Sequence, residues 1–126
     1  MYEDRLNPRL GRLIDMAKAA SLRAGAEASV AEGVALLTES ESIYVGHAGG
    51  DADRPGASAA EAALAAARQA DGEKIVAAAV AVANDRSATV MPSQESRRCL
   101  AGLDPDLPLV VKQRGRWVLI LLSELS

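Results

Sequence analysis

The sequence is poor in the residues that most often build a binding or metal site. It has no Phe, one Trp and two Tyr, so aromatic residues make up 2% of its 126 positions. Aromatic stacking as a ligand platform is therefore nearly excluded, and the core must come from Ala, Val, Leu and Ile. The single Cys cannot form an internal disulfide, which suits a reducing compartment.

Positive charge and long apolar runs are also scarce. The formal net charge is −3, and no basic stripe is present to contact phosphates, so a nucleic-acid partner is disfavoured. No run approaches the roughly 18 apolar residues of a membrane span, and the opening "MYEDRLNPRL" is charged and lacks a signal-peptide pattern. We therefore expect one cytoplasmic domain over 1–126 with no membrane partner.

What is present is a clear alternation of helical and strand patterns. Capping residues, apolar periodicity and Gly- or Ser-rich turns divide the chain into segments in the order α-β-β-α-β-α-β-β. This order favours an α/β fold with three layers, in which one mixed sheet of about five strands has helices on both faces. The predicted helices cover 7–25, 58–72 and 91–103, and the strands cover 32–39, 42–47, 73–85, 107–112 and 117–125.

Five segments, in this order, resemble the cytidine deaminases, which are small zinc hydrolases of free nucleosides. The segments are "GVALLTE", "SIYVGH", "AAEAALAAARQADGEKIVAAAVAV", "PSQESRRCL" and "WVLILLSEL". The resemblance spans most of the chain and implies the three-layer α/β/α cytidine deaminase-like fold. It also implies a homo-oligomer, a dimer or a tetramer, because subunits of the family complete each other's active sites.

The resemblance places unusual residues at the family's zinc positions. With the "GEKI" turn aligned, Ala59 stands for the first zinc ligand, while Ser93 and Ser96 stand for the other two. Glu61 falls on the catalytic glutamate, and Arg97 on the arginine that follows the ligands. A methyl group cannot bind zinc, and a neutral hydroxyl is a poor substitute for thiolate. We therefore predict no zinc and no other cofactor.

The loop that grips the ribose in the family is altered as well. Ala48 and Gly50 stand where the family has Asn and Glu, and only Gly46 and Asp51 keep some likeness. A new metal site built from His47, Asp51 and Asp53 is an alternative, although Gly- and Asp-rich loops are usually simple turns.

Each of the remaining candidates has a structural and a functional interpretation. Glu61 follows Ser58 by three residues, the spacing of a capping box, but it could also act as a general base without metal. Ser93 and Ser96 fit a helix N-terminus, or else a polar pocket that holds water, a carboxylate or a phosphate.

Three functions remain open from the sequence. The favoured one is a cytidine deaminase homologue that no longer deaminates, a pseudoenzyme that binds an unidentified ligand or assembles with other subunits. The second is an enzyme with metal-free chemistry that uses Glu61 in the ancestral pocket. The third is residual deamination of cytidine or another nucleoside, against which the missing zinc ligands argue.

Overall fold

In the computed structural model, residues 8–22, 31–47, 58–70, 74–83 and 92–125 are described. Three helices and five strands lie in this part of the chain, at the places where caps and apolar periodicity predict them. The two ends of the helix predicted for 7–25, Asn7 and Gly25, lie outside the described residues. The elements are α1 (Pro8–Ser21), β1 (Ala31–Thr38), β2 (Ile43–His47), α2 (Ala59–Ala70), β3 (Ile75–Ala83), α3 (Gln94–Leu103), β4 (Pro108–Gln113) and β5 (Arg116–Leu121).

The five strands form one mixed sheet in the order β2-β1-β3-β4-β5. β3 and β4 are parallel, and the other neighbouring pairs are antiparallel. The central strand β3 has an almost unbroken run of small and β-branched apolar residues because helices cover both of its faces. The predicted mixed sheet of about five strands is confirmed.

The helices lie on both sides of the sheet, as predicted for three layers. α1 packs on β1, β2 and β3 from one side, around Leu13, Ala17 and Val110. α2 and α3 pack on the other side, around Ala63, Val80 and a set of leucines. Among the helices of the described segments, none is long and apolar enough to cross a membrane.

The end of the chain differs from the prediction. Residues 117–125 were expected to form one strand, but β5 ends at Leu121 and a 3-10 helix covers Leu122–Leu125. The backbone N–H of Leu122 donates to the carbonyl of Leu107 at 2.9 Å, and the side chain of Leu122 is buried in the core beneath α3. The prediction of a longer strand was wrong because β4, on which β5 pairs, begins at Pro108 and offers no strand partner beyond Leu121.

Two glycines set the distance between the β1–β2 hairpin and its helices. A Cβ atom on Gly33 would meet the backbone of α1 at Ala17 and Ser21. A Cβ atom on Gly46 would meet the backbone of α2 at Ala59 and Ala63. Only glycine allows backbones to approach this closely, so these two residues seat one helix on each face of the hairpin.

Candidate functional site

The helix α3 begins at a side-chain cap formed by Ser93. This residue has the extended backbone of an N-cap (φ −62°, ψ 162°), and its hydroxyl accepts the backbone N–H of Ser96 at 3.2 Å. Its carbonyl accepts the backbone N–H of Arg97 at 2.9 Å, which starts the helical ladder. The capping interpretation of Ser93 is therefore confirmed.

A buried carboxylate fills the space in front of this helix terminus. Glu32, on β1, is only 2% exposed, and it accepts three hydrogen bonds. Its Oε2 accepts the backbone N–H of Ser93 at 2.7 Å. Its Oε1 accepts the hydroxyls of Ser93 at 3.1 Å and Ser96 at 2.7 Å. The positive end of the α3 dipole and these donors together stabilise the negative charge.

Ser96 joins this carboxylate to the second helix of the same layer. Its side chain is completely buried, and its hydroxyl accepts the backbone N–H of Ala60, in the first turn of α2, at 3.3 Å. One hydroxyl thus donates to Glu32 and accepts from α2. Within the described segments, no buried side-chain polar atom lacks a hydrogen-bond partner, so the network is closed.

The start of α2 carries a second pair of a serine and a glutamate, which is local and exposed. The backbone N–H of Glu61 donates to the Ser58 hydroxyl at 3.2 Å. The same hydroxyl donates to Oε1 of Glu61 at 3.1 Å. The capping role of Ser58 is confirmed. In a capping box the glutamate would accept the backbone N–H of Ser58, but here its carboxylate accepts the Ser58 hydroxyl.

The only cysteine lies between the two helices, and its titration depends on its neighbours. Cys99 is half-buried on α3 and packs against the core. Burial raises the pKa of the Cys99 thiol, and the negative charge of Glu61 raises it further. The positive charge of Arg68 acts in the opposite direction. The shift disfavours the thiolate, which is the reactive form of a cysteine.

The side chains around Glu32 do not suit the zinc ion that the resemblance implies. Both hydroxyls are already engaged by the carboxylate, and Ala59 offers only a buried methyl group. A single carboxylate with neutral hydroxyls lacks the thiolates and imidazoles that hold zinc in proteins. Across the described segments, no group of three or more His, Cys, Asp or Glu residues is arranged to hold a metal.

The structure brings some of the predicted site residues together and separates others. Ser93 and Ser96 meet around Glu32, while Glu61 is exposed and bonded to Ser58, and Arg97 is exposed on α3. The loop residues Ala48, Gly50 and Asp51 lie outside the described residues, as does Asp53.

Glu32 is the residue that sequence reasoning missed. The sequence pattern predicts only that it begins a strand. In a strand, alternate residues share a face, so Glu32 lies on the same face as the buried Val34 and Leu36. A charged residue in phase with core positions was the available signal, because a buried carboxylate requires partners.

The described residues also form a cleft at the far ends of α2 and α3. Its volume is about 370 Å³, and Arg68, Lys74 and Asp104 lie at its wall above an apolar floor. None of the predicted site residues lines this cleft. It is therefore separate from the Glu32 network.

With this geometry established, the fold was compared with known proteins. The cytidine deaminase from Burkholderia pseudomallei is 25% identical with a TM-score of 0.71, and the match covers 91% of this chain and 94% of that one. The Mycobacterium tuberculosis enzyme is 20% identical (TM-score 0.71, 94% of each chain), and that from Mycobacterium leprae is 21% identical (TM-score 0.69, 94% and 98%).

No protein-family model matches the sequence, and no curated protein matches it either. The structural matches nevertheless extend over more than nine-tenths of the chain. The chain therefore has the three-layer α/β/α cytidine deaminase-like fold. The resemblance seen in the five sequence segments is confirmed.

Proposed function

We propose that this protein is a non-deaminating relative of the cytidine deaminases that acts by binding or by assembly. The observation that carries the proposal is the buried Glu32 carboxylate, which occupies the N-terminus of α3 and engages both serine hydroxyls. On the family alignment these serines stand for zinc ligands. A carboxylate that already binds them leaves no room in that network for a metal-bound water.

The electrostatics of the network support the same proposal. Three thiolate or imidazole ligands and a divalent cation would normally provide the charge balance of a zinc centre. Here the helix terminus and the two serine hydroxyls satisfy one negative charge without a metal. The site is thus internally complete, which suits a structural joint between β1, α2 and α3 better than a catalytic centre.

The alternative of a metal-free enzyme receives less support. A general base needs an accessible partner and a position facing the pocket. The carboxylate of Glu61 is instead exposed and held by the Ser58 hydroxyl at 3.1 Å. Ser96 is completely buried, so a substrate could not reach its hydroxyl without displacing Glu32.

Metal content and turnover test the proposal together. The purified protein, reconstituted with zinc and dialysed, should contain far less than one zinc per chain by mass spectrometry. It should also convert no cytidine to uridine under conditions in which an active cytidine deaminase does. Stoichiometric zinc, or cytidine turnover that Glu61→Gln abolishes, would show that deamination survives and would overturn the proposal.

The proposal also covers the oligomeric state of the protein and its location in the cell. We propose that it forms a homo-oligomer, since a protein that acts by assembly must offer a surface to other subunits. We also propose that it is cytoplasmic, because its only thiol is a packing residue that needs no oxidising compartment. Sedimentation and cell fractionation test these statements separately from the zinc assay.

A further inference from the structure

The two edge strands of the sheet differ in how their faces are covered. β2 is the edge strand on one side, and helices cover both of its faces, with α1 on one and α2 on the other. β5 is the opposite edge strand among those described. The backbone groups that β5 directs away from β4 can pair with another strand.

The side chains of β5 are apolar on both faces. Val118 and Ile120 belong to the core beneath α3. By strand alternation, Trp117, Leu119 and Leu121 lie on the α1 side of the sheet. Leu119 and Leu121 remain 37% and 42% exposed there, since α1 packs on β1, β2 and β3. Five of the six residues of β5, the run "WVLIL" that follows Arg116, are thus apolar.

We propose that β5 is an interface with a second copy of this chain, in which two β5 strands pair antiparallel across a two-fold axis at Leu119. This inference rests on the assembly part of the proposed function and names its surface. Leu119 is the centre of the apolar run, so pairing there places Trp117 of one copy opposite Leu121 of the other. Such a contact is isologous, because the same patch serves both subunits.

The charges at the ends of β5 fit this register. Arg116 begins the strand and is exposed, while Glu124 is exposed in the 3-10 helix that follows it. Antiparallel pairing centred on Leu119 brings Arg116 of each copy to the end where Glu124 of the other lies. The interface therefore has an apolar centre and two opposite-charge pairs at its rim, the usual arrangement in protein interfaces.

Substitution of Leu119 tests the interface through the molar mass in solution. The wild-type protein should sediment as a dimer of the 13.1 kDa chain or as a multiple of that dimer. Leu119→Lys places a charge opposite its own copy and should halve the mass. Leu22→Lys is the matched control, since Leu22 is 76% exposed at the end of α1 and should leave the mass unchanged.

Crosslinking provides a second readout that does not depend on destabilising the protein. In a Cys99→Ser background, Leu119→Cys should give a covalent dimer with a short bis-maleimide, because only this position faces itself across the axis. Leu22→Cys should give none. A monomeric wild type, an unchanged mass for Leu119→Lys, or equal crosslinking of both cysteine variants would overturn the inference. None of these results would bear on zinc content or cytidine turnover.

Discussion

Each of the two helices of one layer begins at serine residues bonded to a glutamate, and the two groups differ in almost every physical respect. At α2, Ser58 and Glu61 are three residues apart, and Glu61 is exposed. At α3, Ser93 and Ser96 bond Glu32, which is 61 and 64 residues away and 2% exposed. The first group caps the start of α2 locally, whereas the second joins β1, α2 and α3.

Hydrogen bonds between serine and glutamate therefore contribute differently to stability at an exposed site and at a buried site. A hydrogen bond to an exposed carboxylate competes with water, so its net contribution is small. A hydrogen bond to a buried carboxylate cannot be replaced by water, and its loss leaves donors without acceptors.

Removal of the buried carboxylate should have the largest effect. We expect Glu32→Ala to lower the free energy of unfolding by about 3 kcal/mol, since it leaves one backbone N–H and two hydroxyls without an acceptor. Urea denaturation measures the change. Glu39→Ala is the control, because Glu39 is exposed just after the same strand and should cost less than about 0.5 kcal/mol. Equal losses for both variants would contradict the assigned role of Glu32.

Removal of the shared hydroxyl should come next. Ser96→Ala deletes one donor to Glu32 and the acceptor of the Ala60 N–H, so we expect a loss of about 2 kcal/mol. The double variant Glu32→Ala/Ser96→Ala should lose less stability than the sum of the two single losses, because both substitutions break the same network. Strict additivity in this double-mutant cycle would show that the two side chains act independently.

The exposed pair should respond more weakly to the matching change. Ser58→Ala removes the cap of α2 and should lower stability by about 1 kcal/mol, the ordinary value of an N-cap serine. Helix content by circular dichroism should change little, since α2 is held by its buried alanines. A loss as large as that of Ser96→Ala would show that the Ser58 pair is not merely a local cap.

The smallest effect concerns the charge of Glu61 on the neighbouring thiol. A nearby negative charge disfavours the thiolate, so Glu61→Gln should lower the pKa of Cys99, and Arg68→Gln should raise it. At a fixed, mildly alkaline pH, the first variant should react faster with a thiol reagent such as Ellman's reagent, and the second more slowly. Changes of the same sign would contradict this electrostatic arrangement.

The fold could be predicted from the sequence because its signals are local. Pro8, Ser58 and Ser93 mark helix starts, and the valines of β3 mark a buried strand. The exception was the 3-10 helix Leu122–Leu125, which begins where the partner strand β4 ends. The end of β4 lies on another segment of the chain, so no local window of sequence reveals it.

The candidate site could be predicted only in part. The resemblance to the cytidine deaminases placed Ser93 and Ser96 at one site. A polar pocket that holds a carboxylate was one of the alternatives for that site. The resemblance did not identify the carboxylate, because Glu32 lies on another element and reaches the serines only after the sheet has formed. Local pattern cannot reveal a contact that depends on how β1 and α3 pack.

Gly33, the neighbour of Glu32, also determines the register in which β1 can be built. A slip of two residues would keep every side chain on its proper face, so alternation alone does not forbid it. Such a slip would bring Ala31 or Ala35 to the place of Gly33, where a methyl group meets the backbone of α1. The absence of a side chain at Gly33 therefore fixes the register of β1. In this register the carboxylate of the neighbouring Glu32 lies within hydrogen-bonding distance of Ser93 and Ser96.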